Sequence, residues 1–170
     1  PLTLCAWIRQ TSLPILKHVL TLGDSALSVN VLTLRVNGAS VEARARTSGG
    51  ASTATISGLV ASQWQHIAAV FVSATERYSV LNGVFSLVNT TSRSPASINR
   101  TAMAFGYGDI AGQFGGLIRD ARIYNRALTQ GELSILALRP GIAYELAPIR
   151  RSGESIAAFN RRRRLLTGVA

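Results

Sequence analysis

The chain has 170 residues, of which 47% are hydrophobic, and its formal net charge is +10. This length suits one domain with a buried core and a short appendage, and the composition excludes wholesale disorder. No apolar run approaches the length of about 20 residues that a membrane-spanning helix needs, and the single cysteine, Cys5, excludes an internal disulfide. Cys5 lies in an apolar strand pattern, which predicts a small core residue.

Short β-strand patterns separated by turn residues occupy most of the first 124 residues. In chain order, strands are predicted over residues 2–9, 16–22, 31–36, 41–46, 53–57, 64–72, 78–81, 84–88, 101–107 and 117–124. Asn37-Gly38 and Asn82-Gly83 are typical of tight hairpin turns, and 47–52 is predicted to be a flexible turn. Many strands without intervening helices indicate an antiparallel sandwich.

Two of these strands carry a prediction about burial. Residues 2–9 are apolar on both strand faces, which predicts a central strand covered on both sides. Apolar and charged residues alternate over 41–46, which predicts a strand with one face in solvent.

One helix is predicted after the last strand. Thr129 and Glu132 have the spacing of a capping box, and the turn residues 139–141 end the helix. Beyond residue 138 the strand pattern is lost, and seven of the 18 basic residues lie in 139–170. We therefore predict a domain over residues 1–138 and an extended, arginine-rich arm over 139–170.

Three segments carry a family resemblance. Residues 2–8 read LTLCAWI, and residues 64–70 read WQHIAAV, followed by LNG at 81–83. Residues 116–129 read GLIRDARIYNRALT, followed by Glu132-Leu133. In this order they resemble the laminin-G-like or pentraxin-like jelly roll of the concanavalin A-like lectin/glucanase superfamily. The resemblance implies an all-β fold, an antiparallel two-sheet jelly-roll sandwich with one short helix near its C-terminal end.

The resemblance adds further expectations. Trp7 and Trp64 are large enough to fill the gap between two sheets. Domains of this family normally have a strand before the segment at 2–8, so we expect that upstream residues were removed or that a partner covers the edge left open. Arg119 stands where the family usually has an acid, which puts any site that depends on that acid in doubt.

The acidic residues argue against an enzyme. Glycoside hydrolases of this superfamily use a pair of carboxylates, because one donates a proton while the other attacks or stabilises. The eight acids of this chain are scattered, and no two of them are spaced i, i+2 along a strand. No Gly-x-Ser-x-Gly motif is present either. We predict a protein without catalytic residues.

Metal binding is a separate question. The resemblance implies that Ca²⁺ could be held at the sandwich rim, where the loop oxygens on offer belong to Asp24, Asn30 and Asp109. Turn formation explains each of these residues without a metal. His18 and His66 have no accompanying cysteine cluster for zinc, and His66 is predicted to be packed and hydrogen-bonded. No other cofactor is predicted.

The arginine-rich arm suggests attachment. Its candidate docking residues are Phe159, Arg161, Arg162, Arg163, Arg164, Leu165 and Leu166. The arginine forks suit carboxylate or phosphate groups, and the apolar residues suit pockets on a partner. A solvated tail is the alternative.

These observations lead to a structural or attachment module as the first functional hypothesis. Its partners would be other protein subunits or copies of itself, on a phage or virus particle or outside the cell. The alternative is a carbohydrate-binding adhesin whose rim loops present Tyr107 and Phe114. Nucleic-acid contact through the arginines is a third hypothesis, although no recognition helix is evident.

Overall fold

The computed structural model describes residues 1–13, 15–105 and 112–142. Residues 1–140 form one compact unit, and Gly141 and Ile142 are the described residues of a second unit, 141–170. The elements, in chain order, are β1 (Leu2–Gln10), β2 (Lys17–Gly23), β3 (Val31–Asn37), β4 (Ser40–Thr47), β5 (Gly50–Ser57), β6 (Gln65–Ser73), β7 (Glu76–Leu81), β8 (Val84–Phe85), β9 (Arg100–Met103), β10 (Gly116–Tyr124) and α1 (Gln130–Leu136).

The strands form two five-stranded antiparallel sheets. One sheet has the order β10-β1-β6-β7-β8 and the other the order β5-β4-β3-β2-β9. The core lies between them, because alternate residues of each strand point inward; from β1 these are Leu4, Ala6 and Ile8. The predicted all-β sandwich is confirmed. Within the described residues, no helix is both long enough and apolar enough to cross a membrane.

The first strand is central, as its apolar faces predict. β1 pairs with β10 on one side and with β6 on the other. The edge that an upstream strand would cover therefore does not lie at β1 itself. Cys5, on the face of β1 opposite to the core, is 1% exposed, which confirms its predicted burial.

Trp7 does not fill the gap between the sheets, so that expectation is wrong. Successive side chains of a strand point to opposite faces of the sheet. Because Ala6 points into the core, the indole of Trp7 lies on the outer face. There its Nε1 donates to the carbonyl oxygen of Leu136 in α1 at 3.2 Å. The Thr3 hydroxyl donates to the carbonyl oxygen of Arg126 at 2.9 Å. The segment around α1 thus covers this outer face, which the strand pattern alone does not reveal.

Two other strands differ from their predictions. Glu42 in β4 is only 7% exposed, because Arg35 donates to it at 2.5 Å and Asn37 at 3.0 Å. Glu42 on the predicted solvated face is therefore covered by partners on β3, whereas Arg44 and Arg46 on the same face are partly exposed, as predicted. The predicted turn over 47–52 is also shorter, since β5 begins at Gly50, whose φ of +112° glycine adopts readily.

The predicted helix is confirmed with its capping box. The Thr129 hydroxyl accepts from the Glu132 backbone N–H at 3.3 Å, and Glu132 accepts from the Thr129 backbone N–H at 2.9 Å. Leu133 and Leu136 are the buried residues of α1. Nearby, Arg119 lies over the Trp64 ring at 5.5 Å from its centroid, so the arginine that replaces the family's acid makes a cation–π contact.

Candidate functional site

A cavity of about 350 Å³ opens between the sheets at the end of the sandwich where β1 begins. We call it the sandwich-end cavity. Both sheets and the segment after β8 contribute to it: its lining is Pro1, Leu2, Leu22, Leu32, Ala45, Phe71, Ser73, Ala74, Arg77, Arg93, Ser94, Pro95 and Ile98. Its volume falls at the lower end of the range for small-molecule sites, roughly 300–1,000 Å³.

Arg77 is the most unusual residue of the lining. It lies in β7 and is 0% exposed, although arginine is rarely buried without a partner of opposite charge. Its Nη1 donates to the Ser52 hydroxyl and to Asn89 Oδ1, and its Nη2 donates to the Ala74 carbonyl oxygen at 2.6 Å. The Nε–H is buried and has no acceptor in the part of the chain that the structure describes. All these acceptors are neutral.

Asn89 fixes this arrangement. Its backbone N–H and C=O both pair with the backbone of Arg77, at 3.0 and 3.2 Å. Its side chain accepts from the Ser52 hydroxyl at 2.9 Å and donates to the Thr53 carbonyl oxygen at 3.1 Å. Asn89 thereby ties the segment after β8 to β5 and β7, and it holds the Arg77 guanidinium in place.

A second arginine lies next to the first. The backbone N–H of Arg93 donates to the carbonyl oxygen of Ala74 at 2.9 Å, the same oxygen that accepts from Arg77. The Nη1 of Arg93 donates to the Ser92 carbonyl oxygen at 2.8 Å, and its Nε is buried with no acceptor. Both arginines therefore line one cavity, and each has a buried N–H to spare.

The electrostatics of the sandwich-end cavity are one-sided. Its described lining residues include no aspartate or glutamate. Within the part of the chain that the structure describes, no carboxylate pairs with Arg77 or Arg93. Burial, together with the charge of Arg93, lowers the pKa of Arg77 from its usual value. Arginine nevertheless stays charged in proteins, so the described lining carries positive charge without a counter-charge of its own.

The remaining walls are mostly apolar. Leu2, Leu22, Leu32, Phe71 and Pro95 contribute to these apolar walls. A few convergent donors among apolar walls are the usual make-up of a small-molecule site. The apolar surroundings also strengthen any ionic hydrogen bond that forms there, because the local dielectric constant is low.

The predicted calcium residues fall elsewhere. The Asp24 carboxylate accepts from the backbone N–H groups of Ser28, Val29 and Asn30 at 2.9, 3.1 and 3.0 Å. These bonds, that from Asn30 foremost, lower the pKa of Asp24 from its usual value. Asn30 Oδ1 accepts from the Ala96 N–H at 3.2 Å. Both side chains therefore act as turn-forming groups, and Asp109 lies outside the described residues.

No metal site is formed by the usual ligands in the described ranges. There, no three His, Cys, Asp or Glu side chains come together in a group that could hold an ion. Calcium binding through Asp24, Asn30 and Asp109 remains a prediction.

The predicted sugar platform is not formed by Phe114. Phe114 is 9% exposed and belongs to the hydrophobic core. This burial removes the free aromatic face that sugar stacking requires. Tyr107 lies outside the described residues, as do Phe159, Arg161 to Arg164, Leu165 and Leu166 of the predicted docking arm.

Sequence reasoning missed Arg77 and Arg93. The signal available for Arg77 was its position in the alternation of the strand. Arg77, Ser79 and Leu81 lie on one face of β7, and Leu81 is a core residue. A charged residue in phase with core residues is a candidate for a buried site.

The two stacked antiparallel sheets place the chain in the class of jelly-roll β-sandwich domains. The chain belongs to the concanavalin A-like lectin/glucanases superfamily, whose Laminin_G_3 family model matches residues 1–134. No curated protein matches the sequence.

Several solved structures share the fold. One is the CBM40 module of the Ruminococcus gnavus IT-sialidase bound to α2,3-sialyllactose, with a TM-score of 0.66 and 16% identity over 80% of this chain and 82% of that one. Another is domain 4 of AbnA, an extracellular arabinanase from Geobacillus stearothermophilus, in complex with arabinotriose (TM-score 0.59, 20% identity, 80% and 66% covered). A third is the LG4-5 pair of the mouse laminin α1 chain, with a TM-score of 0.60 and 17% identity over 75% of this chain and 38% of that one. These identities establish similarity of fold alone.

Proposed function

We propose that this chain is a non-catalytic carbohydrate-binding domain and that the sandwich-end cavity is its sugar site. The observation that carries the proposal is the pair of arginines, Arg77 and Arg93, in a cavity of about 350 Å³ with apolar walls. Sugar oxygens accept hydrogen bonds, and the apolar walls suit the C–H faces of a sugar ring. Two structural neighbours, the sialidase module and the arabinanase domain, are described as complexes with oligosaccharides.

A binding role fits the cavity better than hydrolysis does. Glycoside hydrolysis normally uses two carboxyl groups that flank the scissile bond. None of the described residues that line the sandwich-end cavity has a carboxylate. We infer a domain that holds a glycan without cleaving it, and an extracellular place of action, as for the arabinanase that contains a similar domain.

Blocking the sandwich-end cavity tests the proposal. Ser94 is an exposed residue of the lining, so Ser94→Trp should fill the cavity and abolish binding on an array of glycans. Ser57→Trp is the matched control, because Ser57 is also exposed but ends β5, whose other end, Gly50, lies beside Arg93. Equal binding by both variants would show that the sugar site lies outside this cavity. If the unaltered chain binds no glycan, the proposed function is refuted.

The attachment role remains a second candidate. It is favoured by the run of four arginines, 161–164, beside Leu165 and Leu166. If the arm attaches the domain to other subunits, deletion of 139–170 should abolish incorporation of the domain into the assembly that these subunits form. The circular dichroism of the sandwich should stay unchanged. Retained incorporation would count against this role.

A further inference from the structure

We infer that the glycan held in the sandwich-end cavity carries an anionic group, a carboxylate or a sulfate, which binds to Arg77 and Arg93. The inference rests on the proposed sugar-binding function and names the class of ligand. The class follows from three features of these two arginines among the described residues: a buried charge without a paired carboxylate, a second charge of the same sign, and two buried N–H groups without acceptors.

The first feature is the charge of Arg77. A fully buried ion is costly unless an opposite charge or a full set of hydrogen bonds offsets the loss of water. Arg77 is 0% exposed, and its side-chain hydrogen bonds to described residues go to the neutral oxygens of Ser52, Asn89 and Ala74. The nearest acid along the chain, Glu76, accepts from the Tyr78 hydroxyl at 2.9 Å. An anion in the cavity would supply the missing counter-charge.

The second feature is Arg93. It shares the Ala74 carbonyl oxygen with Arg77 and lines the same cavity. Two like charges side by side repel each other, and the repulsion is strongest where water is excluded. A purely structural role for Arg77, linking β5, β7 and the segment after β8, explains its Nη contacts. It does not explain why a second cation was placed beside the first.

The third feature is the two unused donors. The Nε–H groups of Arg77 and Arg93 are buried, and neither has an acceptor among residues 1–13, 15–105 and 112–142. Most buried donors in proteins are paired, so each exception calls for a partner. Carboxylate and sulfate oxygens are acceptors only, and charge-assisted hydrogen bonds to them are stronger than those to neutral hydroxyls. A neutral sugar would accept hydrogen bonds from the donors but would leave the positive charge of the arginines without a counter-charge.

The anion site is tested first without any assumption about the sugar. In ¹⁵N-labelled protein, the Nε–H signals of Arg77 and Arg93 should shift when sodium acetate or sodium sulfate replaces chloride at constant ionic strength. The Nε–H of Arg9 is the control, because it already donates to the Ser62 carbonyl oxygen at 3.1 Å, at the other end of β1. Unchanged signals, or equal shifts at all three arginines, would overturn the anion site.

The second test uses glycans. On an array of neutral, carboxylate-bearing and sulfated glycans, the chain should bind acidic members best. Arg93→Gln should weaken that binding about tenfold or more, in line with the loss of a charged hydrogen bond, while Arg9→Gln should leave it unchanged. Arg93→Lys should retain part of it, and circular dichroism checks that each variant is folded. Comparison of the carboxylate-bearing glycans with the sulfated glycans identifies which anion is preferred.

The outcomes separate the inference from the function on which it rests. Binding of neutral glycans only, blocked by Ser94→Trp, would overturn the anionic ligand and leave the sugar site standing. If Arg93→Gln binds acidic glycans as tightly as the unaltered chain does, the anionic ligand is overturned too. If no glycan binds, the sugar-binding function falls, and with it the glycan part of the inference.

Discussion

The imidazole of His66 packs edge-on against the indole of Trp7, with ring centroids 5.8 Å apart and an interplanar angle of 62°. His66 is 2% exposed, which confirms its predicted packing, but its Nδ1 has no hydrogen-bond partner. Burial lowers the pKa of His66 to about 4, with Asp120 opposing the shift. The fold therefore favours neutral imidazole at this position.

This histidine predicts a pH dependence of stability. Below pH 6.5 the unfolded chain binds a proton at His66 that the folded chain takes up only near pH 4. The free energy of unfolding should therefore be highest above this range and fall as the pH drops from 6.5 to 4, by up to about 3 kcal/mol. Urea unfolding at a series of pH values measures it. In His66→Gln the fall over this range should be much smaller; an unchanged slope would show that His66 is not its source.

Cys5 predicts a second measurable property. It is 1% exposed, and burial raises the pKa of its thiol to about 12. Because the thiolate is the reactive form, a thiol reagent should leave the folded protein unmodified at pH 8 and react once in denaturant. Mass spectrometry after timed labelling gives the result. Rapid, complete labelling of the folded protein would mean that β1 is not covered as described.

The capping box of α1 predicts a moderate stability effect. Thr129→Ala removes the acceptor for the Glu132 backbone N–H and should lower the free energy of unfolding by about 1 kcal/mol. Thr129→Ser keeps the hydroxyl and serves as the control. Both are compared by urea unfolding at pH 7. Equal stability of the two variants would indicate that the cap contributes little.

Gly50 links the fold to the sandwich-end cavity. Its φ is +112°, and an added Cβ would lie 3.2 Å from Nη2 of Arg93. Gly50→Ala should cost about 1 kcal/mol of stability and should displace Arg93, which weakens glycan binding. Gly49→Ala is the matched control, because a Cβ there meets only the Thr47 hydroxyl at 3.7 Å. Full binding by Gly50→Ala would argue that the position of Arg93 is unimportant.

Local patterns predict the strands well but not their surroundings. Asn82-Gly83 indicates a tight turn, and both residues have positive φ, 49° and 81°, as a two-residue hairpin requires. By contrast, the alternation in β4 predicts solvent where Arg35 covers Glu42. Such coverage depends on a neighbouring strand, which a pattern within β4 does not report.

The candidate site was beyond local reasoning for the same reason. The sandwich-end cavity joins residues from Pro1 to Ile98. The alternation within β7 places Arg77 in phase with the core residue Leu81, but it does not report contacts between residues so far apart in sequence. Phe114 shows the converse error: a glycine-rich surrounding predicts an exposed loop, whereas tertiary packing buries the ring.

The central claim is that a glycan occupies the cavity beside Arg77 and Arg93. A crystal structure of the chain with the glycan that binds most tightly tests it most directly. The account predicts a sugar ring against the apolar wall, with an acidic group within hydrogen-bonding distance of Arg93. A sugar bound on the outer face of either sheet, with the cavity unchanged, would contradict it.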